Sequence, residues 1–453
     1  MAHIPRDTTE IEDYEHECRK FRICIIGRAG VGKSTLLGKV FGLNDEDAQV
    51  KHRGEGSGKH SIWDPIADDN RNSALIIHDS RGFEAGETEN LKTVTDFINY
   101  RSKQATLSEQ LHCIWFGIKY APICVLVAND ALMPLQTAEN TFFKFFQDKG
   151  IPLVFVLTKF DKLVRDKLDE IAGDEDHPTE WERQRAKQDA SSFVEVFRTD
   201  LENATGKGVK VQAVSKKDDR LVRKLVIETA AIVKPTLKDV WVRAQGVVAT
   251  QKRESCVKDL PTSYFKNVLI GCALPFNPFK AVVLDSYFER VFHHCMVIWN
   301  LPGQSVLFTK DYITRSFREA TQSYTTRASA ASIIDLVGPL TAPLYVRLTI
   351  KLICDLIIIF QQLFWATPRR QLLTRNDLED QLVIYRNSSV RQSIHKLVDG
   401  SVGITDLVTS FSPTKLKQIV EEVVSAGHVL ISEELRSSDT GETGEIPLAE
   451  LPG

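Results

Sequence analysis

The run Gly27-Arg28-Ala29-Gly30-Val31-Gly32-Lys33-Ser34, with Thr35 after it, constrains this chain more than any other feature. It satisfies GxxxxGK[ST] and stands between an apolar β-type run, RICII at 22–26, and a segment of helical periodicity, STLLGKVFG. Strand, glycine-rich turn and helix in that order form a cradle for an oligophosphate. The glycines let backbone N–H groups converge on one phosphate, and the helix N-terminus adds the positive end of its dipole. Lys33 bridges the two outer phosphates and Ser34 offers its hydroxyl to Mg²⁺. A glycine-rich αβ turn with no ligand could carry the same letters, so the rest of the chain has to decide.

Further apolar runs at 75–78, 113–118, 123–128, 153–158 and 209–214 alternate with helix-length segments at 88–108, 137–148, 188–203 and 218–233. That alternation predicts an α/β fold with a mainly parallel sheet covered by helices on both faces. Three more elements each follow an apolar run. In Asp79-Ser80-Arg81-Gly82 the carboxylate can hold Mg²⁺ through water and the Gly82 N–H can meet a γ-phosphate. In Thr158-Lys159-Phe160-Asp161 the Asp161 carboxylate can accept from both N1–H and the exocyclic amine of guanine. Adenine presents an acceptor at the equivalent ring nitrogen and is rejected. The Lys159 stem can lie over the base and Thr158 can tie this loop to the phosphate loop. Val214-Ser215-Lys216 follows the last strand, where the Ser215 N–H can reach guanine O6. Each later element is weak alone; four in one order, each just past a strand, predict a guanine-nucleotide site for GTP and GDP with Mg²⁺.

The phosphate loop with DSRG, TKFD and VSK resembles a translation-factor-class, Ras-like P-loop GTPase. The segments RGEGSGKHSIWDPI, IIHDSRGFEAGE and LHCIWFGI are more specifically similar to fungal G-domain-containing proteins, relatives of the ribosome-binding GTPase superfamily. The resemblance covers about residues 20–235 and implies a Ras-like G domain; the second half matches only in general character, as a helical, apolar extension. Two departures stand out. Ras-type proteins place Gln directly after DxxG to orient the attacking water, and this chain has Phe83 there. Glu84, Arg28, Arg53 and Arg81 are near in sequence, but no spacing assigns any of them a catalytic role. Residues 43–67 contain Ser57 and Ser61 but no threonine to serve as a second Mg²⁺ hydroxyl, and Ser61, next to Ile62 at the start of an expected edge strand, is the candidate. Gly30 also occupies the position where potassium-activated GTPases carry Asn.

The charged stretch between Asp161 and Val209, with its acidic turn GDEDHP, breaks the αβ rhythm and reads as a surface insertion. The chain as a whole is ordinary for a soluble globular protein, with 43% hydrophobic and 26% charged residues and a net charge of −3. Residues 241–432 carry a mild excess of 21 Lys+Arg over 15 Asp+Glu without a dense basic block, so charge does not indicate nucleic acid. Eight scattered cysteines with no CxxC pair and an acidic N-terminus without an apolar core predict a reducing, cytosolic location. Residues 1–20 read as an extension, 21–235 as the nucleotide domain, 236–432 as a helical C-terminal domain, and 433–453 as a disordered acidic tail.

Residues 332–365 are the most apolar stretch. Asp335, Arg347, Lys351 and Asp355 divide it into uncharged runs shorter than the roughly 20 residues a membrane span needs. Arg347, Lys351 and Asp355 recur every four residues and share one helix face, leaving Leu348, Leu352, Ile353, Leu356, Ile359 and Phe360 as apolar surface. A bundle core explains this pattern; a membrane-associated hairpin turning at GPLTAP, with Lys351 and Asp355 paired, is the alternative. His293-His294-Cys295 has no second ligand group at metal spacing and reads as structural. The cluster TFFKFF at 141–146 reads as helix-to-sheet packing. The functional expectation is a slow GTPase switch acting on an unknown protein effector, with a second copy of the chain able to supply what Phe83 lacks. A nucleotide-stabilised scaffold with negligible turnover, or a peripheral membrane protein, is the alternative.

Overall fold

A computed structural model describes residues 18–42, 61–66, 71–80, 88–119, 142, 145–146, 149–172, 178–205, 209–262, 265, 280–307, 342–367, 371–402 and 412–438. The chain divides into two compact units, Met1–Val247 and Val248–Gly453.

Among the described residues the first unit is built on five parallel strands, β1 (Phe21–Gly27), β2 (Leu75–Asp79), β3 (Cys113–Lys119), β4 (Leu153–Thr158) and β5 (Lys210–Ala213), in the order β2-β1-β3-β4-β5. Every residue of β1 is buried, as a strand with neighbours on both edges and layers on both faces requires. The register aligns Ile25 with Asp79, Gly27 with Gly117, and Lys119 with Thr158. The carboxyl ends of β1, β2 and β4, each carrying a motif, therefore emerge along one edge of the sheet.

Alternation sorts the side chains. Trp115 turns to one face and joins Phe21, Phe41 and Trp241, with Trp115 and Trp241 ring centroids 5.9 Å apart. This face is covered by α1 (Lys33–Phe41), α5 (Asp219–Ile232) and α6 (Lys238–Ala244). Their polar indole groups are matched, Trp115 Nε1 donating to Thr229 Oγ1 and Trp241 Nε1 to the Val226 carbonyl, both at 3.1 Å. Trp241 is wholly buried here, which is why the first unit runs to Val247 and past the boundary expected at 235. Removing that ring would cost about 3–5 kcal/mol. On the other face Cys24, Ile26, Ile114, Phe116 and Phe155 meet Phe97 and Ile98 of α2 (Thr88–Ser102) and Phe197 and Leu201 of α4 (Glu180–Thr205). Phe142 packs there against Phe116, centroids 5.4 Å apart, in the role read for the TFFKFF cluster.

Several expectations need correction. The helix expected at 88–108 stops at Ser102, and a separate 3-10 turn occupies Leu107–Glu109. The charged stretch after Asp161 is two packed helices, α3 (Phe160–Ala172) and α4, rather than an interruption. Its buried stripe, Leu163 on α3 with Ala186, Ala190, Phe197 and Leu201 on α4, is thin enough for the charged surface to mask. The expected strand at 123–128 and most of the helix at 137–148 lie outside the described residues.

The second unit is helical: α7 (Ala249–Lys258), α8 (Lys280–Trp299), α9 (Ala342–Ala366), α10 (Arg375–Asn387), α11 (Ser389–Ser401) and α12 (Pro413–Ser438), with a short helical turn at Gln304–Leu307. α10 starts at a capping box in which Thr374 and Asp377 satisfy each other's backbone N–H groups. α9 lies in the core, with Ile350, Ile353, Ile357, Phe360 and Leu363 fully enclosed. By length and composition Val346–Ala366 could cross a membrane, yet 78% of its apolar window is buried inside the protein. The Lys351–Asp355 pair of the membrane-associated alternative does not form. Lys351 Nζ meets Asp399 at 2.7 Å, Asp355 accepts from Tyr385 Oη at 2.6 Å and meets His395 Nε2 at 3.0 Å, and Arg347 donates to the Val402 carbonyl. All three charges reach across to neighbouring helices, because carboxylate and ammonium here find better-placed partners off their own helix. His294 Nε2 donates to the Cys256 carbonyl at 2.9 Å, a structural placement. The last helix runs through Ser438, beyond the expected start of the tail at 433. The GPLTAP turn up to Thr341 lies outside the described residues.

Candidate nucleotide site

A groove of about 730 Å³ opens at the carboxyl edge of the sheet, the place where open α/β sheets take ligands. Gly30, Val31, Gly32, Lys33, Ser34, Thr35, Asp79, Thr158, Lys159, Asp161, Val214, Ser215 and Lys216 all line it. Three of the four sequence elements thus converge through strands that are distant in sequence, and so does Asp79 from the fourth.

The phosphate loop turns at three glycines of positive φ, Gly27, Gly30 and Gly32. Gly27 sits at φ 151°, and a Cβ there would lie 2.5 Å from the Gly117 carbonyl oxygen on β3, so no larger residue fits. Gly32, at φ 99°, caps α1 with no side-chain bond to the first turn. The N–H groups of the first turn, including those of Lys33, Ser34 and Thr35, have no intrahelical acceptor and present a positive dipole end. Lys33 Nζ donates to the carbonyls of Gly27, at 3.1 Å, and Arg28, at 3.4 Å, which holds the ammonium inside the loop. Burial lowers the Lys33 pKa, and the Asp79 carboxylate acts in the opposite sense. Ala29 is exposed and does not line the groove.

Asp79 ends β2 in a buried position. Burial pushes its carboxyl up to about 6, and Lys33 partly offsets that rise. Ser34 and Asp79 give a hydroxyl and a carboxylate on one groove, hard oxygen donors that suit Mg²⁺ when phosphate and water complete an octahedron. The donor set fits the ion. Ser61 does not join it: its Oγ accepts the Trp63 N–H at 3.2 Å inside a turn, and it is not a lining residue. The segment meets the sheet edge later, where Ile66 pairs antiparallel with Ile77. Gly82, Phe83, Glu84, Arg53 and Arg81 lie outside the described residues.

The far wall is a second hydrogen-bonded assembly. Thr158 Oγ1 donates to the Val31 carbonyl at 2.7 Å, and Lys159 Nζ to the Gly30 carbonyl at 3.0 Å. Lys159 adopts φ 61°, a conformation disfavoured for a side chain with a Cβ and retained here by those contacts. Ser215 Oγ accepts the Lys217 N–H at 3.1 Å, which leaves its proton to be donated to Asp161 Oδ1 at 2.8 Å. Asp161 is thereby oriented, with carboxylate lone pairs left for a ligand that offers two donors. Leu36, Lys39, Ser80, Lys162 and Val222 complete the lining and were not singled out from sequence. Ser80 sits inside DSRG and Lys39 in the helix of the phosphate loop, so their positions carried the available signal. The buried histidines are occupied elsewhere: His78 Nδ1 donates to the Ile62 carbonyl and its Nε2 accepts from Arg22, both at 2.8 Å, and burial lowers its pKa to about 3. Among the described residues no group of three or more His, Cys, Asp or Glu could hold a metal ion by itself.

Residues 309–435 match the family model described as "Domain of unknown function (DUF8505)". The chain is 28% identical over 161 residues to GTPase Der of Enterobacter sp. (strain 638), an overlap of 36% of this chain and 29% of that protein. It is 26% identical over 170 residues to GTPase Der of Pasteurella multocida (strain Pm70), 38% of this chain and 30% of the relative. The chain therefore spans less than a third of the length of these curated relatives. A solved structure described as "a probable GTP-binding protein engB" is 17% identical, overlaps 46% of this chain and 97% of its own, and has a TM-score of 0.28.

Proposed function

We propose that the first unit binds GTP and GDP with Mg²⁺ and hydrolyses GTP slowly, acting as a switch whose output is the helical second unit. The observation that carries this reading is the Ser215–Asp161 hydrogen bond on the same groove as Lys33 and the first turn of α1. A phosphate cradle alone is indifferent to the base. A carboxylate oriented beside it selects a base with two adjacent donors, and guanine has them. The similarity to proteins named GTPase Der supports the same choice.

In this reading the phosphates lie on the amides of 30–35 and on Lys33, while Thr158 and Lys159 hold the base loop against the phosphate loop. Ser34 and Asp79 would hold Mg²⁺, which neutralises phosphate charge and fixes the phosphate geometry. Slow turnover follows from Phe83 at the position of the water-orienting Gln, since an apolar ring cannot polarise water. An effector protein or a second copy would accelerate the step. A cytosolic setting belongs to the same proposal, supported by the buried thiols of Cys18, Cys24, Cys113, Cys256, Cys295 and Cys354. So does kinship with the fungal G-domain group, supported by the segments quoted above.

Fluorescent-nucleotide titration tests the site. Lys33→Ala should lose most affinity for GTP and GDP, and Asp161→Asn should shift preference from GTP toward XTP in competition that includes ATP. Unchanged affinity in the first or unchanged preference in the second would overturn the corresponding assignment. Single-turnover hydrolysis then separates a slow GTPase from a scaffold with negligible turnover, the reading that Phe83 also supports.

A further inference from the structure

Lys39 and Asp219 belong to no phosphate or base motif, yet they meet at the site. Lys39 stands in the last turn of α1 and lines the groove; its Nζ lies 2.5 Å from Asp219 Oδ1 in the first turn of α5. Each charge occupies the helix end that favours it, the cation at a C-terminus and the anion at an N-terminus. α5 follows directly on the loop 214–218, which closes on itself through the Ser215–Asp218 bridge. The pair thus joins the far end of the phosphate helix to the near end of the helix that carries the Ser215 loop. The contacts of Thr158 and Lys159 with the phosphate loop anchor the other base segment, 158–161.

We propose that the Lys39–Asp219 ion pair is a latch on the base side of the groove, positioning the loop 214–216 and slowing release of a bound guanine nucleotide whatever its phosphate number. This inference rests on the nucleotide-binding reading above. The side chains are 25% and 38% exposed, so the pair weighs little in global stability. Release of a nucleotide, however, needs only a local opening of the loop, and a local opening breaks the pair in full. The pair is also open to screening, so the latch weakens as salt is raised.

The test is stopped-flow release of fluorescent GDP and of a non-hydrolysable GTP analogue from the full chain, in a cycle of Lys39→Gln, Asp219→Asn and the double variant. Each single change should speed release by about fivefold for both nucleotides, and the double should be no faster than the singles. Lys39→Arg should restore the parent rate, which a loss of mere packing would not predict. Release at the parent rate in both singles, or effects that multiply in the double, would overturn the latch. Melting curves identify a variant that fails to fold, and if Asp219→Asn does, the comparison of Lys39→Gln with Lys39→Arg decides alone. A parent chain that retains neither nucleotide removes the nucleotide reading itself, an outcome distinct from a parent that binds and variants that release normally.

Discussion

The Thr158 hydroxyl donates to the Val31 carbonyl at 2.7 Å across 127 residues of sequence, joining the end of β4 to the phosphate loop. The same hydroxyl lies 3.3 Å from the Ile118 carbonyl, so one side chain secures the tips of two strands and a loop. Thr158→Val keeps the shape and removes the donor. Guanine-nucleotide affinity should fall about tenfold while the fold persists, since a buried carbonyl left unmatched costs ~1–3 kcal/mol. Titration with fluorescent GDP checks it; parent affinity in the variant would mean that the two loops act independently.

Asp79 makes the metal dependence sensitive to pH. Its carboxyl is raised from 3.8 to about 6, so the folded chain holds that proton more tightly than the unfolded chain does. Its contribution to stability is therefore present at low pH and lost as pH rises through about 6. Mg²⁺ binding has the opposite sign, because the ion needs the carboxylate. Tightening of nucleotide binding by Mg²⁺ should weaken progressively as pH falls below about 6, and Asp79→Asn should lack both the tightening and its pH dependence. Calorimetry across that range, with and without Mg²⁺, would expose an error as an Mg²⁺ effect that persists unchanged at pH 5.

Gly27→Ala tests the geometry of the loop without touching its charge. The new methyl would lie 2.5 Å from the Gly117 carbonyl oxygen and 3.2 Å from Val31 Cγ1, at a φ of 151°. Neither neighbour is the free end of a flexible chain, so the loop must move and a loss of about 2–4 kcal/mol is expected. Urea unfolding followed by tryptophan fluorescence measures it, and a shift below ~1 kcal/mol would mean that β1 and β3 separate easily here.

The second unit offers an independent test. Asp355 is buried and serves Tyr385, His395 and, at 3.8 Å, Arg391. Asp355→Ala leaves those groups without their shared acceptor and should cost about 3–5 kcal/mol. Hydrogen exchange should rise in α9 and α11 and stay unchanged in β1. Protection in α9 that survives the substitution would assign its burial to apolar packing alone.

The phosphate loop, the strand-end motifs and the α/β rhythm were legible because each is local: a few residues of fixed spacing beside an apolar run. Even the Thr158 tie could be read, since the motif order dictates which loops meet. What sequence could not supply depends on distant partners. Asp355 and Lys351 looked like a pair at helical spacing, whereas their partners lie 40 and 48 residues further on. Trp241 looked like the opening of a helical domain, but Phe21 and Trp115 claim its ring. The segment 188–203 reads as a helix, but α3 and the start of α4 do not, because Leu163, Ala186 and Ala190 bury a stripe with little hydrophobic weight. Ser61 is suggested by its place beside Ile62, but its hydroxyl accepts the Trp63 N–H within a turn and does not line the groove.

The contacts of α9 with α11 run in opposite chain directions: Arg347 with Val402, Lys351 with Asp399, Asp355 with His395. Apolar ridges alone would tolerate a slip of one turn, since isoleucines and leucines replace one another along α9. The charges do not tolerate it equally in both directions. A slip one way sets Asp355 against Asp399 and strands a buried carboxylate beside a second one, at a cost of several kcal/mol. A slip the other way sets Lys351 against His395 but pairs Arg347 with Asp399 and Asp355 with Arg391, so charge leaves that direction to the apolar packing. The ladder works as a ratchet on assembly: it adds little to the depth of the native state and instead closes off misthreading in one direction.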